Sequence, residues 1–566
     1  MKGKKKNILW WIGLLAGLVL INYIAATVHF RLDLTEEKRY SLTPTSREMV
    51  RNLSSDVVID VFLKGDFPSG FRKLSNTTLE FLTVLKETNP GRVKYRFISP
   101  DEPAGNGKSW GDSLRSAGIE PINLTVQQTA GQENKYMFPY ALLHAGGRTE
   151  VVNLFPSSQR SVSPADLNNA EATMEYSFVK SLDKLINQQV KAIAYAVGNG
   201  EPVGEEITAL RQAVSADYRM LPFDLNKFSY VPKEANVLLI VKPATGFSEH
   251  EKLKIDQYIM NGGKVMMFID NLFAEQDSLV IKSQLVAYDR NLNLGDLLFN
   301  YGVRINADLL MDLQCDFLPF AVGGTGDAPQ YEFLKWNYFP LFETRNNHPI
   351  NKNLGLVASR YVNSIDTVEA DNIRKTFLLE SSVNSRLIST PALISLNENR
   401  NTAEDALFKK KGIPVAVLLE GTFNSLYRNR ISTAQRDSLA QSGGFKEQIT
   451  NDGKLIVVSD GDIVLNDVSA KEGPLQMGMN LYTAGSKFQA PVANSNFLLN
   501  CLEYLTSKET IISTRNKEIV LRLLDAKKVE AEKGKWQLIN IALPVLLVVI
   551  FGIVYQRFRR YRFASA

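Results

Sequence analysis

Two apolar stretches, Ile8 to Val28 and Leu538 to Tyr555, stand near the two ends of a 566-residue chain. Each approaches the ~20 residues that a helix needs to cross the hydrocarbon core of a bilayer. A chain anchored at both ends must build any globular core from the residues between the anchors. Lys2, Lys4, Lys5 and Lys6 precede the first stretch, and Arg557, Arg559, Arg560 and Arg562 follow the second. Lys and Arg are retained on the cytoplasmic side of a membrane, so both tails (residues 1–7 and 556–566) are predicted to be cytoplasmic and residues 29–537 extracytoplasmic.

A cleaved signal peptide is the alternative for the first stretch. Its apolar run exceeds the ~7–15 residues of an h-region, and Ala25-Ala26-Thr27-Val28-His29 lacks a small-x-small cleavage site. A buried core helix is the alternative for the second, and the Arg cluster opposes it. Asn540 and Pro544 are tolerable in a membrane helix whose neighbours satisfy the freed backbone groups. Trp10, Trp11 and Trp536 lie where amphipathic rings favour the interface. Asn22, Tyr23 and Asn540 are candidate docking contacts for a permease, at ~1 kcal/mol each; for Asn22 and Tyr23, plain interfacial placement explains the residues equally well.

The net charge of +5 is accounted for by the eight cations in the tails, so the enclosed region is near neutral and offers no basic stripe to nucleic acid. Two spans are too few for a transport pathway, and no G-x-x-x-x-G-K-[ST] phosphate loop occurs. Any pore or motor therefore belongs to partners. Cys315 and Cys501 are far apart and are expected as two isolated thiols rather than a disulfide framework.

Between the anchors the pattern predicts an α/β protein. Residues 29–55 read as a juxtamembrane collar ending in a short helix that starts at Thr43-Pro44-Thr45. Residues 56–155 form a mixed α/β domain: a strand at Val57–Leu63, a helix with Leu79, Leu82 and Leu85 on one face, a strand at Val93–Ile98, then shorter strands. Residues 156–170 read as a linker. Residues 171–510 open with a helix striped by Met174, Phe178, Leu182, Leu185 and Ile186, then show continuous apolar runs at 192–197, 237–241, 265–269, 415–419 and 455–459. Such runs suit a parallel sheet covered on both faces. Ser248 and Glu251 form a capping box for a helix closed by Gly262-Gly263. Residues 275–410 are expected to be irregular decorations, 494–505 a last amphipathic helix, and 511–537 a stalk helix feeding the second span.

Gly198-Asn199-Gly200-Glu201-Pro202-Val203-Gly204 follows a predicted strand and is one residue longer than the dinucleotide-binding fingerprint, with Asp224 ending the next strand. Glu201, Glu205 and Glu206 would repel a pyrophosphate, so a structural strand-to-helix turn or a partner-binding loop is the better reading. Asp270 and Asp460-Gly461-Asp462 follow two of the apolar runs, and their carboxylates could meet at one sheet edge and hold Ca²⁺ or Mg²⁺. Asx-turns closing strand ends explain the same residues more simply. His29, His144, His250 and His348 show no ligand spacing, and no G-x-S-x-G elbow exists. Gly323-Gly324-Thr325-Gly326 lacks a following Lys and reads as a flexible loop. No catalytic, cofactor-binding or metal-ligating set is assigned, and no cofactor is expected.

The collar LDLTEEKRYSLTPTS (32–46), the loop VGNGE (197–201), the segment EHEKLKIDQYIMNGGKVMMFID (249–270) and the closing VVSDGDIV (457–464) resemble the GldG family of gliding-motility ABC transporter auxiliary proteins of Bacteroidetes. The 249–270 segment is also similar to class I glutamine-amidotransferase-like domains. That resemblance implies an accessory, non-enzymatic subunit in the bacterial inner membrane with its bulk in the periplasm, beside a multi-span permease and a cytoplasmic ATPase. The resemblance does not identify a substrate; the α/β region is expected to bind an envelope protein or glycan, and no nucleic acid. The amidotransferase nucleophile, a Cys at a strand-to-helix elbow, has no counterpart here: Asp270-Asn271-Leu272 follows the 265–269 run. The alternative is an envelope hydrolase or amidotransferase-like enzyme, or a glycan-binding protein with aromatic residues near Gly198–Gly200.

Overall fold

The computed structural model describes residues 41–105, 107–128, 131–155, 164–187, 190–325, 328–344, 346–352, 354–396, 404–439, 444–449, 452–507, 511–512, 514 and 526–563, with Trp11, 13–20, Asn22 and Asp33 near the start. The chain divides into two compact units, 1–517 and 518–566.

The collar helix, Pro44–Arg51, begins as its sequence predicts. Thr43 Oγ1 accepts from the Ser46 amide at 3.3 Å, and Pro44 occupies a first-turn position whose N–H would lack an intrahelical partner. Beyond it a four-stranded sheet runs in the order Val93–Phe97, Val57–Val61, Tyr140–Ala145, Arg148–Asn153. Its first pair is parallel and joined by the helix Ser69–Thr88, a βαβ unit. That helix buries Leu82 and Leu85 as predicted, together with Phe71, Leu74 and Thr78, and leaves Leu79 exposed beside the inward face. The helix Pro164–Ile186 covers the end of the expected linker. Its stripe of Met174, Phe178, Leu182 and Leu185 joins the core of this first sheet, not that of the following one.

A seven-stranded sheet follows. In spatial order it comprises Ile373–Glu380, Pro414–Gly421, Gly453–Val458, Lys264–Phe268, Ala235–Val241, Lys191–Val197 and Tyr218–Asp224. The last five run parallel. Side chains alternate between faces along a strand, so an unbroken apolar run must feed two cores. Val237, Leu239 and Val241 enter one cluster and Leu238 and Ile240 the other. The helix Glu249–Met260 covers one face, and the helices Thr208–Ser215 and Asn494–Thr506 cover the other. The capping box forms, with Glu251 N donating to Ser248 Oγ at 3.3 Å and Ser248 N to Glu251 Oε2 at 2.7 Å.

Two expectations change. The 414–421 strand is antiparallel to 453–458, and the unforeseen 373–380 strand pairs antiparallel outside it. Burial on both faces produces the same apolar run whichever way the strand points, so composition carries no direction. The 275–410 region is also strand-rich: 308–312 pairs with 385–389, and a long hairpin joins Cys315–Thr325 to Ala328–Phe342. Trp336, Tyr338, Phe339 and Tyr361 centre its separate core. Gly323, Gly324 and Thr325 continue the first hairpin strand and do not form a loop; Gly326 lies outside the described residues.

In the second unit the helix Ala526–Phe563 contains Glu532–Tyr561, long and apolar enough to cross a membrane; its most apolar window has a mean hydropathy of 2.7 and is not buried by the chain. Of the first predicted anchor, Trp11, 13–20 and Asn22 are helical. Asn22 Nδ2 donates to Leu18 O at 3.2 Å, within its own helix. The rest of that anchor, Tyr23 and His29 included, and residues 515–525 of the predicted stalk lie outside the described residues. Both cysteines are buried, and they form no disulfide with each other.

Candidate functional site

In chain order the five parallel strands are arranged 2-1-3-4-5, so connections diverge from between 191–197 and 235–241. Open α/β sheets bind ligands outside the carboxyl ends of their strands at such a switch point. The Gly198–Gly204 loop lies there, packed shut by its neighbours. Gly198 (φ +123°) brings its backbone so close to the 224–226 turn that a Cβ would sit 2.8 Å from Asp224 Oδ1; at Gly200 (φ +80°) a Cβ would meet that of Ala244 at 2.8 Å. Glycine is required because three loops nest here. Asn199 O accepts from the Ala244 and Thr245 amides at 2.8 and 2.9 Å. Asn199 N donates to Glu201 Oε2 at 2.8 Å, and burial pushes the Glu201 carboxyl up. At the start of the following helix, Ala209 N is capped by Asn466 Oδ1 at 2.9 Å. Of the amides near the loop and the following helix, those of Asn199, Gly204 and Ala209 already have side-chain partners and are not open to a pyrophosphate.

The carboxylates predicted to meet do meet. Oxygens of Asp270, Asp460 and Asp462 lie within 4.8 Å of one another. Lys242, which directly follows the 235–241 strand, is the cation among them. Its Nζ is 2.6 Å from Asp462 Oδ1 and 3.2 Å from both Asp270 Oδ2 and Glu275 Oε2. Lys242 takes a left-handed φ of 45°, an uncommon conformation for a residue with a Cβ. Asp460 Oδ1 accepts from Asp462 N at 2.7 Å, the expected Asx-turn. Its Oδ2 accepts from Arg360 N at 2.8 Å, and Asp270 Oδ1 accepts from Gly461 N at 2.5 Å. Arg360 forms a bidentate pair with Asp467, at 2.7 and 2.6 Å. These contacts tie three strand ends to each other and to the 275–410 lobe.

The electrostatics follow from burial. Desolvation, reinforced by Asp462 and Glu275 and opposed by Lys242, pushes the Asp270 carboxyl up to about 6. Asp460 is held well above the usual carboxylate range by burial and then by Asp462 and Asp270. Burial pulls the Lys242 ammonium down, but Asp270, Asp462 and Glu275 outweigh it and hold it well above its ordinary value. The ammonium thus balances Asp270 and Asp462, two of the three clustered carboxylates, together with Glu275.

Beside this network is a cavity of about 480 Å³, lined by residues including Pro202, Glu206, Lys242, Arg360, Asp462 and Asp467. Its roof comes from 275–277 and 358–361 of the strand-rich lobe, so the sheet edge is partly covered and partly open. Its lining carries five carboxylates and two cations, with Tyr361 as its aromatic residue. Sequence reasoning found the three Asp residues and missed Lys242 and Arg360. A cation directly after an all-apolar strand was the available signal for Lys242; Arg360 had none. The described histidines do not join the site. His144 lies 3.4 Å from Asp60 in the first sheet. His348 packs at a tilt against Tyr504, ring centroids 4.8 Å apart, and burial pulls its imidazole down to about 4.

Residues 190–501 match the family model described as an ABC-type uncharacterized transport system, and residues 36–144 match a domain of unknown function. An uncharacterized protein of Borreliella burgdorferi is 21% identical over 590 positions, covering 100% of both chains. Among solved structures, the mmIFT52 N-terminal domain is 12% identical with a TM-score of 0.31, covering 56% of this chain and 98% of that one. An exo-beta-1,4-mannosidase of Opitutaceae bacterium strain TAV5 is 10% identical with a TM-score of 0.18, covering 74% and 51%. At these scores neither structural likeness bears on fold or function.

Proposed function

The chain belongs to the ABC transporter auxiliary family and so has an accessory role in an ABC transport system; from that premise we propose that it is a non-enzymatic subunit of a transporter serving gliding motility and associated secretion. In this reading it sits in the bacterial inner membrane with both termini cytoplasmic and its bulk periplasmic. A multi-span permease supplies the pathway and a cytoplasmic ATPase the motor. The α/β region, amidotransferase-like in arrangement, binds an envelope protein or glycan. Permease motion reaches it through residues 29–55 and 516–535.

The family match over 190–501 carries the proposal. The exposed apolar stretch Glu532–Tyr561 supports membrane attachment, because such a surface is stable only against lipid or other helices. The non-enzymatic reading draws support from the carboxyl edge, where Asp270 and Asp460 spend their oxygens on Lys242 and on backbone amides. A catalytic carboxylate needs an oxygen within reach of substrate. The hydrolase reading, and that of a glycan-binding protein with no transporter, draw less, since Asp270 and Asp460 are tied and the cavity lining has one aromatic residue.

Affinity purification of the full chain from native membranes in a mild detergent tests the proposal. Permease and ATPase should be retained in fixed ratio. A chain that purifies alone removes the subunit reading.

A further inference from the structure

The opposite, amino edge of the same sheet holds a second cavity, of about 300 Å³. It lies between the starts of the 235–241 and 264–268 strands, the carboxyl end of the 249–260 helix, and the last residues of the 494–506 helix. Its charged lining is Lys233, Lys254 and Lys264, with no carboxylate. Lys254 Nζ donates to Leu225 O at 2.6 Å and Lys264 Nζ to Gly262 O at 3.0 Å. An ammonium has three N–H groups, so each of these bonds uses one. None of the three lysines forms an ion pair among the described residues.

Lysines beside a helix end often serve to satisfy its last carbonyls. That role is largely filled here by other donors. Gln257 O accepts from Asn261 N at 3.0 Å and from its Nδ2 at 2.8 Å; Tyr258 O accepts from Gly263 N at 2.9 Å; Ile259 O accepts from Gly262 N at 2.8 Å. Lys254 and Lys264 are half-buried and Lys233 is exposed, and partial burial of a cation is costly without a counter-charge. Burial holds both Lys254 and Lys264 below the ordinary lysine value, and the neighbouring charge of Lys454 adds to this at Lys264. Glu251 and Asp224 act on Lys254 from outside the cavity.

We propose that this cavity binds a phosphate-bearing small molecule, with Lys233, Lys254 and Lys264 as its cationic wall. A dianion matches several point-like ammonium groups better than a single carboxylate does. Asn236, Gln257, Asn261 and Thr506 offer further polar contacts, while Leu439 and Leu505 offer an apolar side for the rest of the ligand. The volume is at the lower end for small-molecule sites and suits a ligand the size of a glycerol or sugar phosphate. A free phosphate ester and a phospholipid headgroup share this chemistry.

The test uses the full chain in a neutral detergent, titrated calorimetrically with glycerol 3-phosphate and, as control, glycerol. Glycerol 3-phosphate should bind, weaken with added salt, and bind at least about tenfold more weakly to the Lys254→Met/Lys264→Met variant. The glycerol control should give no signal. Thermal unfolding without ligand should show the variant as stable as the wild type. If the pair fails to fold, Lys264→Gln alone should still weaken binding. A second arm titrates the detergent-solubilised chain with short-chain phosphatidylglycerol, with short-chain phosphatidylcholine as control; binding that glycerol 3-phosphate competes away and the substitutions weaken assigns the headgroup as the source. No binding of glycerol 3-phosphate, or equal binding by wild type and variants, overturns the site.

Discussion

At the carboxyl edge of the central sheet the cavity is lined by five carboxylates and two cations, and the cations are already paired: Lys242 with Asp462, Asp270 and Glu275, and Arg360 with Asp467. At the amino edge the lining has three lysines and no carboxylate. One sheet thus carries a closed set of charges at one end and an open set at the other. The carboxyl edge is where such sheets ordinarily bind ligands, yet here its charges hold strand ends and an inserted lobe together. Position in a fold marks where a site can be; the partners already taken by each charged group show whether it is free to act.

The largest expected effect comes from breaking the closed set. Lys242→Met leaves buried carboxylates without their counter-charge and should cost about 3–5 kcal/mol in denaturant unfolding. Wild-type stability in this variant would erase the contrast between the edges. Arg360→Lys keeps the charge but loses the two-point fit to Asp467, and should cost about 1–2 kcal/mol by the same measurement.

A pH series sharpens the contrast further. Asp270 has its folded value raised from 3.8 to about 6, so its contribution is present below pH 3.8 and is lost as pH rises through about 6. Asp460 shifts in the same direction. His348, lowered from 6.5 to about 4, works oppositely: its contribution is present above pH 6.5 and is lost as pH falls through about 4. Asp270→Asn should therefore make stability rise more steeply with pH between those values, and His348→Gln should make it rise less. Unfolding midpoints across that window check both slopes. The smallest effect belongs to the open set: Lys264→Met should change stability by less than about 1 kcal/mol, because it removes an unpaired cation beside Lys454.

Much of this fold was legible where the deciding physics is local. The apolar runs, the Thr43 cap and the Ser248–Glu251 capping box depend on neighbours a few residues away, and the elements form where those signals fall. The convergence of Asp270, Asp460 and Asp462 was legible because each follows an all-apolar strand, and parallel strands bring their ends together. The direction of 414–421 was not, because two-sided burial writes the same run for either direction. Lys242 and Asp462 are 220 residues apart, and Arg360 and Asp467 are 107 apart. Such pairings are set by tertiary packing, which also gathered short, Gly- and Asn-punctuated segments of 275–410 into a lobe around Trp336.

The most direct measurement takes the combined variant Lys242→Met/Asp270→Asn/Asp462→Asn, which removes the ion network and keeps oxygen acceptors at both Asp positions. Its unfolding free energy and its retention of permease and ATPase on purification are read together. If the carboxyl edge is scaffold, the variant loses less stability than Lys242→Met alone and, once folded, retains whatever partners the wild type retains. A variant as stable as the wild type that has lost those partners would contradict this, and would make the edge part of a functional site.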